Sequence, residues 1–223
     1  MTLENALPER IERYATAVGP EPDEIIEEMG ARADREGFPY VGPAVGGWLA
    51  MLARLVGAQR VFEFGSGFGY SAYWFARELP DDGEIILTEI DEGELDDARE
   101  YFARADPEPT VRFEHGDAVE TVEDYDGPFD VVLVDNEKDR YAAAFEAVRE
   151  KVAPGGVVAA DNAIAGGTID VATLRAYFEG DSVDMDAMTA GIAEFLETVR
   201  ADPEFEATIL PLGEGVAVCH RQR

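Results

Sequence analysis

The chain has 223 residues, of which 46% are hydrophobic, enough to fill one sizeable core but too few residues for two ordinary domains. Its formal net charge is −30, from 48 acidic and 18 basic residues, and the acids are spread along the whole chain. This charge argues against nucleic acid and anionic membranes as partners, because affinity for either depends on Lys and Arg. We therefore expect a single domain, residues 1–223, without a polyanionic partner.

The choice of charged residues is also unusual. All basic residues except Lys138 and Lys151 are arginines. A surface rich in carboxylates and poor in lysine resembles that of proteins from salt-loving organisms, where ions screen the self-repulsion; an ordinary acidic protein is the alternative. Cys219 is the only cysteine, which excludes an intrachain disulfide and a thiolate metal cluster. Residues 1–10 lack the apolar run of a signal peptide and no stretch approaches a membrane span, so we expect a cytoplasmic location.

The first 57 residues predict a layer of helices. Apolar residues recur at helical spacing in three stretches, and the third contains Trp48, Leu49, Leu52 and Leu55. The predicted helices are Glu4 to Ala17, Glu21 to Ala33 and Pro43 to Val56.

Residues 60–162 alternate between short apolar strands and amphipathic helices. The predicted strands are Arg60 to Phe64, Glu84 to Glu89, Val111 to Glu114, Phe129 to Val134 and Gly156 to Ala160. The predicted helices are Ser71 to Leu79, Glu92 to Arg104, Ala118 to Glu123 and Arg140 to Val152. Strands separated by helical crossovers pair in parallel, so the pattern predicts an α/β doubly wound sheet.

The pattern changes in residues 163–223. A stretch rich in Gly and Asp, Ala165 to Met185, predicts an irregular segment that would serve as a lid, and a helix follows from Met188 to Arg200. Phe205 to Leu210 and Gly215 to Cys219 read as two antiparallel strands joined by a tight turn. This hairpin would close one edge of the sheet.

A Gly-rich turn follows the first strand. Gly65, Gly67 and Gly69 permit backbone conformations that other residues avoid and a close approach to a ligand. A dinucleotide site would place its third glycine where Tyr70 stands, which weakens the interpretation as a nicotinamide oxidoreductase. Glu63 at the strand end suits a cationic group better than a phosphate.

Acidic residues follow the next two strands. Glu89 ends the second strand, where a carboxylate accepts hydrogen bonds from the two hydroxyls of a ribose; Asp91 is its rival. Asp117 follows the third strand and is expected beside an adenine ring. Three acids at the ends of three successive strands, Glu63, Glu89 and Asp117, favour a nucleoside-containing ligand over a purely structural turn.

The fourth and fifth strands end in polar residues. Asp135 follows the fourth strand, and Asp161 and Asn162 follow the fifth. Because ligands collect at the carboxyl ends of parallel strands, these side chains are expected to converge as oxygen ligands of a hard cation such as Mg²⁺. An all-oxygen set argues against zinc.

These motifs together resemble the cation-dependent class I O-methyltransferases, typified by the catechol and caffeoyl-coenzyme A enzymes. The resemblance covers most of the chain, including Gly166-Gly167. Its specific part is a pair of motifs: Asp-x-x-Lys-x-x-Tyr, from Asp135 to Tyr141, and Gly-Gly-x-x-x-x-Asp-Asn, from Gly155 to Asn162. It implies a Rossmann-like seven-stranded sheet, with five parallel strands and a C-terminal antiparallel hairpin. It also implies S-adenosylmethionine as methyl donor, a divalent cation, a small-molecule acceptor with vicinal oxygens, and a homodimer.

The resemblance also implies roles for individual residues. Asp135, Asp161 and Asn162 match the metal ligands, and Lys138 matches the general base. Candidate donor contacts are Val41, Glu63, Gly65, Ser66, Gly67, Ser71, Glu89, Asp117, Ala118 and Asp135. Asn136 and Glu137 depart from the family pattern and the segment 168–188 matches no known member, so the acceptor is not implied. A metal-independent methyltransferase, a nicotinamide oxidoreductase and a donor-sensing binding protein are the alternatives.

Overall fold

The structure is a computed structural model and describes residues 9–223. The first predicted helix was Glu4 to Ala17, and its residues before position 9 lie outside the described residues. Within the described residues, α1 spans Glu9–Val18. The helices that follow are α2 Glu24–Glu36, α3 Gly42–Val56, α4 Tyr70–Ala76, α5 Glu92–Ala105, α6 Ala118–Thr121, α7 Tyr141–Val148, α8 Val171–Phe178 and α9 Ala187–Ala201. None of the helices in this described part is long and apolar enough to cross a membrane.

Seven strands form one sheet in the described residues. They are β1 Arg60–Phe64, β2 Glu84–Glu89, β3 Thr110–His115, β4 Phe129–Val134, β5 Val152–Ala160, β6 Phe205–Leu210 and β7 Val216–Arg221. Their order is β3-β2-β1-β4-β5-β7-β6, with the first five parallel and β7 antiparallel to both neighbours. The predicted fold class, including the closing hairpin, is confirmed; the division of the chain into 1–57, 60–162 and 163–223 stays a prediction.

Both faces of the sheet are covered, because successive side chains of a strand point to opposite sides. Val61 and Leu133 pack on one face against α2 to α5, whereas Phe62, Val132 and Phe145 belong to the other face with α7 and α9. Strands buried on both faces read as continuous apolar runs, and this explains why β1, β2 and β4 begin and end where the sequence predicts.

The strand register fixes where the polar residues lie. Phe64 pairs with Thr88 of β2 and with Val134 of β4, and Val134 pairs with Ala160 of β5. The residues that come next, Gly65 among them, therefore leave neighbouring strands at one edge of the sheet. Ligands bind at this edge in doubly wound folds.

The predicted boundaries on the two sides of the connection into β5 are wrong. The helix predicted to run to Val152 ends at Val148, and β5 begins at Val152, four residues before the predicted start. Val152 pairs with Phe129, whereas the next pair is Val157 with Val131, so the register shifts between these two pairs. The residues between Val152 and Val157, which include Gly155 and Gly156, lie in this shift. Glycines that read as a turn thus lie in a bulged strand.

The segment Ala165 to Met185 also differs from the prediction, because it contains helix α8. Asp170 accepts hydrogen bonds from the backbone N–H groups of Ala172 and Thr173 and thereby starts this helix. Asp186 starts α9 in the same way. Aspartates that suggested irregular structure are N-caps, a role for which Asp is strongly preferred.

Candidate active site

A pocket of about 940 Å³ lies at the carboxyl ends of β1, β2, β4 and β5. Its wall also includes the start of α3, the loop after β5, the start of α9 and the hairpin turn between β6 and β7. The structure brings all predicted site residues except Glu63 to this wall: Val41, Gly65, Ser66, Gly67, Ser71, Glu89, Asp117, Ala118, Asp135, Lys138, Asp161 and Asn162.

The Gly-rich turn is held close to the end of β4. Gly65 has a φ of 78°, and a Cβ added there would lie 2.7 Å from the backbone oxygen of Asp135. A side chain at this position would therefore be strained and would collide with the neighbouring strand end. The backbone N–H groups of Gly65 and Ser66 both donate to the carbonyl of Thr88, which ties the turn to β2.

Glu89 and its rival Asp91 have different surroundings. Glu89 lies on the pocket wall and accepts a hydrogen bond from the backbone N–H of Gly67 at 2.7 Å. Asp91 instead caps α5, accepting from the N–H groups of Gly93 and Glu94. The placement favours Glu89 as the carboxylate that meets a ligand.

Asp117 connects two sides of the pocket. One of its carboxylate oxygens accepts from the N–H of Val119 and starts α6, and the other lies 2.7 Å from the guanidinium of Arg140. Arg140 also lines the pocket, and the sequence analysis did not single it out. The ion pair links the loop after β3 to the segment after β4.

Glu63 lies behind the pocket wall. Its side chain is fully buried, its Oε1 accepts a hydrogen bond from the Ser71 hydroxyl, and its Oε2 has no partner in the described part of the chain. Burial raises the pKa of Glu63 to about 8 from 4.5, with Ser71 opposing the shift and the charges of Asp135 and Glu89 adding to it. Ser71, which lines the pocket, stands between Glu63 and the cavity.

Lys138 is anchored by three oxygen atoms. Its Nζ donates to Asp135 Oδ1 at 3.0 Å, to the backbone oxygen of Asn136 at 3.2 Å and to the hydroxyl of Tyr141 at 2.7 Å. Tyr141 is fully buried and donates in turn to the backbone oxygen of Asp161 at 3.2 Å. The amine therefore has a fixed position between the ends of β4 and β5.

Asp161, which is buried, and Asp135, which is half-buried, lie at these strand ends. Burial raises the pKa of Asp161 well above its ordinary value, and the charge of Asp135 raises it further. Burial also raises the pKa of Asp135, against the opposing effect of Lys138. Asp161 is 5% exposed, lines the pocket, and its Oδ1 has no hydrogen-bond partner within residues 9–223. Buried carboxylates of this kind are stabilised by a positive charge.

Asn162 and Glu214 complete this end of the pocket. Asn162 has a φ of 57°, a left-handed conformation that is uncommon outside glycine and tends to occur at functional sites. Its amide Nδ2 donates to the carboxylate of Glu214, in the hairpin turn. Sequence analysis did not identify Glu214 as a site residue, because 52 positions separate it from Asn162 and only the pairing of β7 with β5 brings them together.

The oxygen-bearing side chains at this end of the pocket suit a hard cation as ligands. Asp135, Asp161 and Asn162 offer carboxylate and amide oxygens, which Mg²⁺ and Ca²⁺ prefer. No group of three or more His, Cys, Asp and Glu side chains in the described part of the chain is arranged to hold a metal ion. The site at the ends of β4 and β5 differs from such a group, because it combines two carboxylates with one amide. The Asp161 oxygen without a hydrogen-bond partner is the observation that fits a cation at this site.

The family model of the O-methyltransferases matches residues 23–222. The chain belongs to this O-methyltransferase family. It is 29% identical to the catechol O-methyltransferase of Niastella koreensis, over 94% of this chain and 93% of that protein. It is 27% identical to the caffeoyl-CoA O-methyltransferase of Stellaria longipes, over 96% of this chain and 90% of that protein.

A solved structure of this family has the same fold. The O-methyltransferase TomG from Streptomyces achromogenes, in complex with S-adenosylmethionine, matches with a TM-score of 0.82 and 26% identity, over 96% of each chain. The prediction of an S-adenosylmethionine-dependent O-methyltransferase is thereby confirmed, and the nicotinamide oxidoreductase is set aside. The roles of individual residues, the cation and the acceptor stay predictions.

Proposed function

We propose that this protein transfers a methyl group from S-adenosylmethionine to one of two vicinal oxygens of a small, catechol-like acceptor, with the assistance of a divalent cation. The observation that carries this proposal is the buried, partnerless Oδ1 of Asp161 on the pocket wall, next to Asp135 and the anchored Lys138. The names of the relatives, a catechol and a caffeoyl-CoA O-methyltransferase, support an aromatic acceptor with adjacent oxygens.

The donor would lie along the Gly-rich turn. S-adenosylmethionine supplies an electrophilic methyl group on its sulfonium. Glu89 would accept hydrogen bonds from the ribose hydroxyls, and Asp117 and Ala118 would border the adenine. Ser66, Gly67, Ser71 and Val41 would contact the methionine part, and the buried Glu63 would orient the hydroxyl of Ser71.

The cation would be held by Asp135, Asp161 and Asn162. Such an ion supplies Lewis acidity, which lowers the pKa of an acceptor hydroxyl and fixes the two oxygens. Glu214 would orient Asn162 through the hydrogen bond between their side chains. The positive charge of such an ion would stabilise the negative charge of the buried Asp161.

Lys138 would move the proton. Its Nζ is held beside Asp135, where the acceptor hydroxyl would meet it. The reaction forms an O–CH₃ bond and breaks the S–CH₃ bond, and the electron pair remains on sulfur. The hydroxyl proton would pass to the lone pair of Lys138 in its neutral amine form, which donates two hydrogen bonds instead of three. Holding the oxygen in line with the methyl group contributes a large part of the rate of such reactions.

The test compares two aspartate variants with and without the cation. Methyl transfer from labelled donor to a catechol panel is measured with Mg²⁺ and with a chelator, for the wild type, Asp161→Asn and Asp139→Asn. Asp139 is exposed and does not line the pocket, so it is the matched control. We expect chelation and Asp161→Asn each to lower kcat by roughly a hundredfold or more, while S-adenosylhomocysteine still binds.

The alternatives give different results. Transfer that survives both chelation and Asp161→Asn means a metal-independent methyltransferase. Donor binding with no transfer to any acceptor means a donor-sensing protein. Both results contradict the proposal.

We also propose that the protein is a homodimer that pairs through α1. Ile11, Tyr14 and Val18 are exposed apolar residues spaced so that they share one face of this helix. Light scattering on the purified protein is expected to give the mass of two chains, and Tyr14→Glu to give that of one. A monomeric wild type would contradict this part of the proposal.

A further inference from the structure

Asp117 and Arg140 form an ion pair on the pocket wall. The carboxylate Oδ2 of Asp117 lies 2.7 Å from the guanidinium of Arg140, and both residues line the pocket. Asp117 follows β3 and Arg140 follows β4, and β2 and β1 lie between these two strands in the sheet. The ion pair therefore joins two parts of the wall that are not neighbours in the sheet.

The exposure of the ion pair argues against a large role in the stability of the fold. The side chain of Arg140 is 41% exposed and that of Asp117 is 29% exposed. Ion pairs in contact with water contribute little to the free energy of folding, because solvent screens the charges and ordering two side chains costs entropy. The effect of this pair is therefore expected in the pocket, which both side chains border.

Arg140 extends from a fixed stretch of backbone. It ends the short 3₁₀ turn Lys138–Arg140, and its backbone N–H donates to the carbonyl of Glu137 at 2.9 Å. Helix α9 packs against this turn so closely that a Cβ added to Gly191 would collide with the carbonyl oxygen of Lys138. The guanidinium therefore approaches Asp117 from a position that cannot shift freely.

The carboxylate of Asp117 has a partner at each oxygen. Its Oδ1 accepts a hydrogen bond from the backbone N–H of Val119 at 2.9 Å, and its Oδ2 faces Arg140. The terminal torsion of an aspartate is broad, so a single hydrogen bond leaves the carboxylate plane free to turn. A second partner at the other oxygen fixes this plane. Each oxygen keeps a further lone pair, with which the carboxylate can accept a hydrogen bond from a ligand.

We propose that Arg140 is a positioning residue of the donor site, which orients the Asp117 carboxylate to accept a hydrogen bond from the exocyclic amine of the donor's adenine. This inference rests on the proposed function, in which Asp117 borders the adenine. A carboxylate in this orientation selects adenine against hypoxanthine, because hypoxanthine has an oxygen in place of the amine and two acceptors would face each other. Arg140 acts through Asp117 and not by contact with the donor.

Calorimetry with S-adenosylhomocysteine and S-inosylhomocysteine tests this selection. The two ligands differ in the base alone, and the measurement requires neither turnover nor an acceptor. We expect the wild type to bind the adenosyl compound about thirtyfold more tightly, and Arg140→Met to reduce this ratio by about fivefold. Arg140→Lys is expected to retain part of the ratio, because an ammonium keeps the charge and lacks the planar guanidinium.

A double variant shows whether Arg140 acts through Asp117. Asp117→Asn keeps a capping side chain at the start of α6 and removes the charge that pairs with Arg140. In this background Arg140→Met is expected to change the ratio by less than about 1.5-fold, because the carboxylate that it orients is gone. A further fall as large as that in the wild type would mean that Arg140 contacts the donor itself, and would overturn the inference.

Arg149→Met is the matched control. Arg149 lies 2.7 Å from Asp202, its side chain is 36% exposed, and it does not line the pocket. This variant should keep both affinities and their ratio, and the melting temperature of every variant shows whether it is folded. An unchanged ratio in folded Arg140→Met would contradict the inference.

Turnover separates this inference from the proposed function. With a catechol that is methylated, Arg140→Met is expected to raise the KM for S-adenosylmethionine and to leave kcat within about threefold of the wild type. If no catechol is methylated, the proposed function fails, and the ratio of the two affinities still decides the inference. Equal binding of the two ligands by the wild type would overturn the inference while leaving methyl transfer intact.

Discussion

The two ends of the pocket are built in different ways. The donor end consists mainly of the turn after β1, in which backbone groups from Gly65 to Gly67 hydrogen-bond to β2 and to Glu89. The other end, where the cation is proposed to bind, consists of side chains that come from three distant parts of the chain, around Asp135, Asp161 and Glu214. Backbone geometry dominates the first end, and buried charge dominates the second.

This difference predicts how each end responds to substitution. A backbone site fails when a side chain enters its turn, because the strain cannot be relieved elsewhere. A site of buried charges fails when one charge loses its partner, because an uncompensated buried charge is costly. Four substitutions, from the largest expected effect to the smallest, test whether the two ends are distinct in this sense.

Lys138→Met is expected to have the largest effect. If Lys138 receives the proton, as proposed, its loss should lower kcat by about 10²- to 10⁴-fold, while donor binding remains. Single-turnover methyl transfer and S-adenosylhomocysteine calorimetry measure the two quantities separately. Lys151→Met is the matched control, because the amine of Lys151 donates to Val122, outside the pocket. Near-normal turnover in Lys138→Met would remove this residue from the mechanism.

Gly65→Ala tests the place where the two ends touch. The new Cβ would lie 2.7 Å from the Asp135 backbone oxygen, so we expect donor affinity to fall by roughly tenfold or more and turnover to fall with it. Gly57→Ala is the control, because Gly57 also has a positive φ, 67°, but its Cβ would meet nothing within 4 Å. Both variants should lose stability, and only Gly65→Ala should lose donor affinity. Equal donor affinities would show that the turn tolerates a side chain.

Glu63→Gln tests the buried acid behind the donor end. In the folded protein Glu63 keeps its proton up to a pKa of about 8, whereas the unfolded chain loses it near 4.5. The folded state therefore binds more protons between these values, and its stability falls as pH rises from about 5 to 8. The free energy of unfolding of the wild type should fall by up to about 1.4 kcal/mol per pH unit more steeply than that of Glu63→Gln.

Urea unfolding of both proteins at several pH values measures this difference. The comparison cancels the contribution of the other acids, which both chains share. Parallel curves would mean that Glu63 is already ionised in the folded protein.

Tyr141→Phe is expected to have the smallest effect. Lys138 would lose one of its three hydrogen bonds and keep those to Asp135 and the Asn136 carbonyl, so kcat should fall by about three- to tenfold. Tyr125→Phe is the control, since Tyr125 donates to Glu114 away from the pocket. A loss as large as that of Lys138→Met would make Tyr141 a direct participant in the reaction.

The amino-acid sequence determined the sheet and the polar residues that its strand ends bring to the pocket. Apolar runs buried on both faces gave β1, β2 and β4 with correct bounds, because such strands are marked by composition alone. Polar residues directly after these strands, such as Glu89 and Asp135, had to meet at one edge once the strands paired in parallel. The identity of the acceptor could not be predicted from the sequence, because the charge and shape of the acceptor side of the pocket depend on several segments of the chain.

Only the tertiary structure decided the remaining features. Helix α8 was missed because Asp170 reads as a loop residue until its carboxylate is seen to cap the helix. Glu214 and Arg140 entered the site through contacts made by the hairpin and by the loop after β3, which no local pattern records. Glu63, a predicted donor contact, lies outside the lining of the pocket and is linked to it by the hydroxyl of Ser71. Periodicity and strand ends are local properties of the chain, whereas the pairing of buried charges depends on residues that only folding brings together.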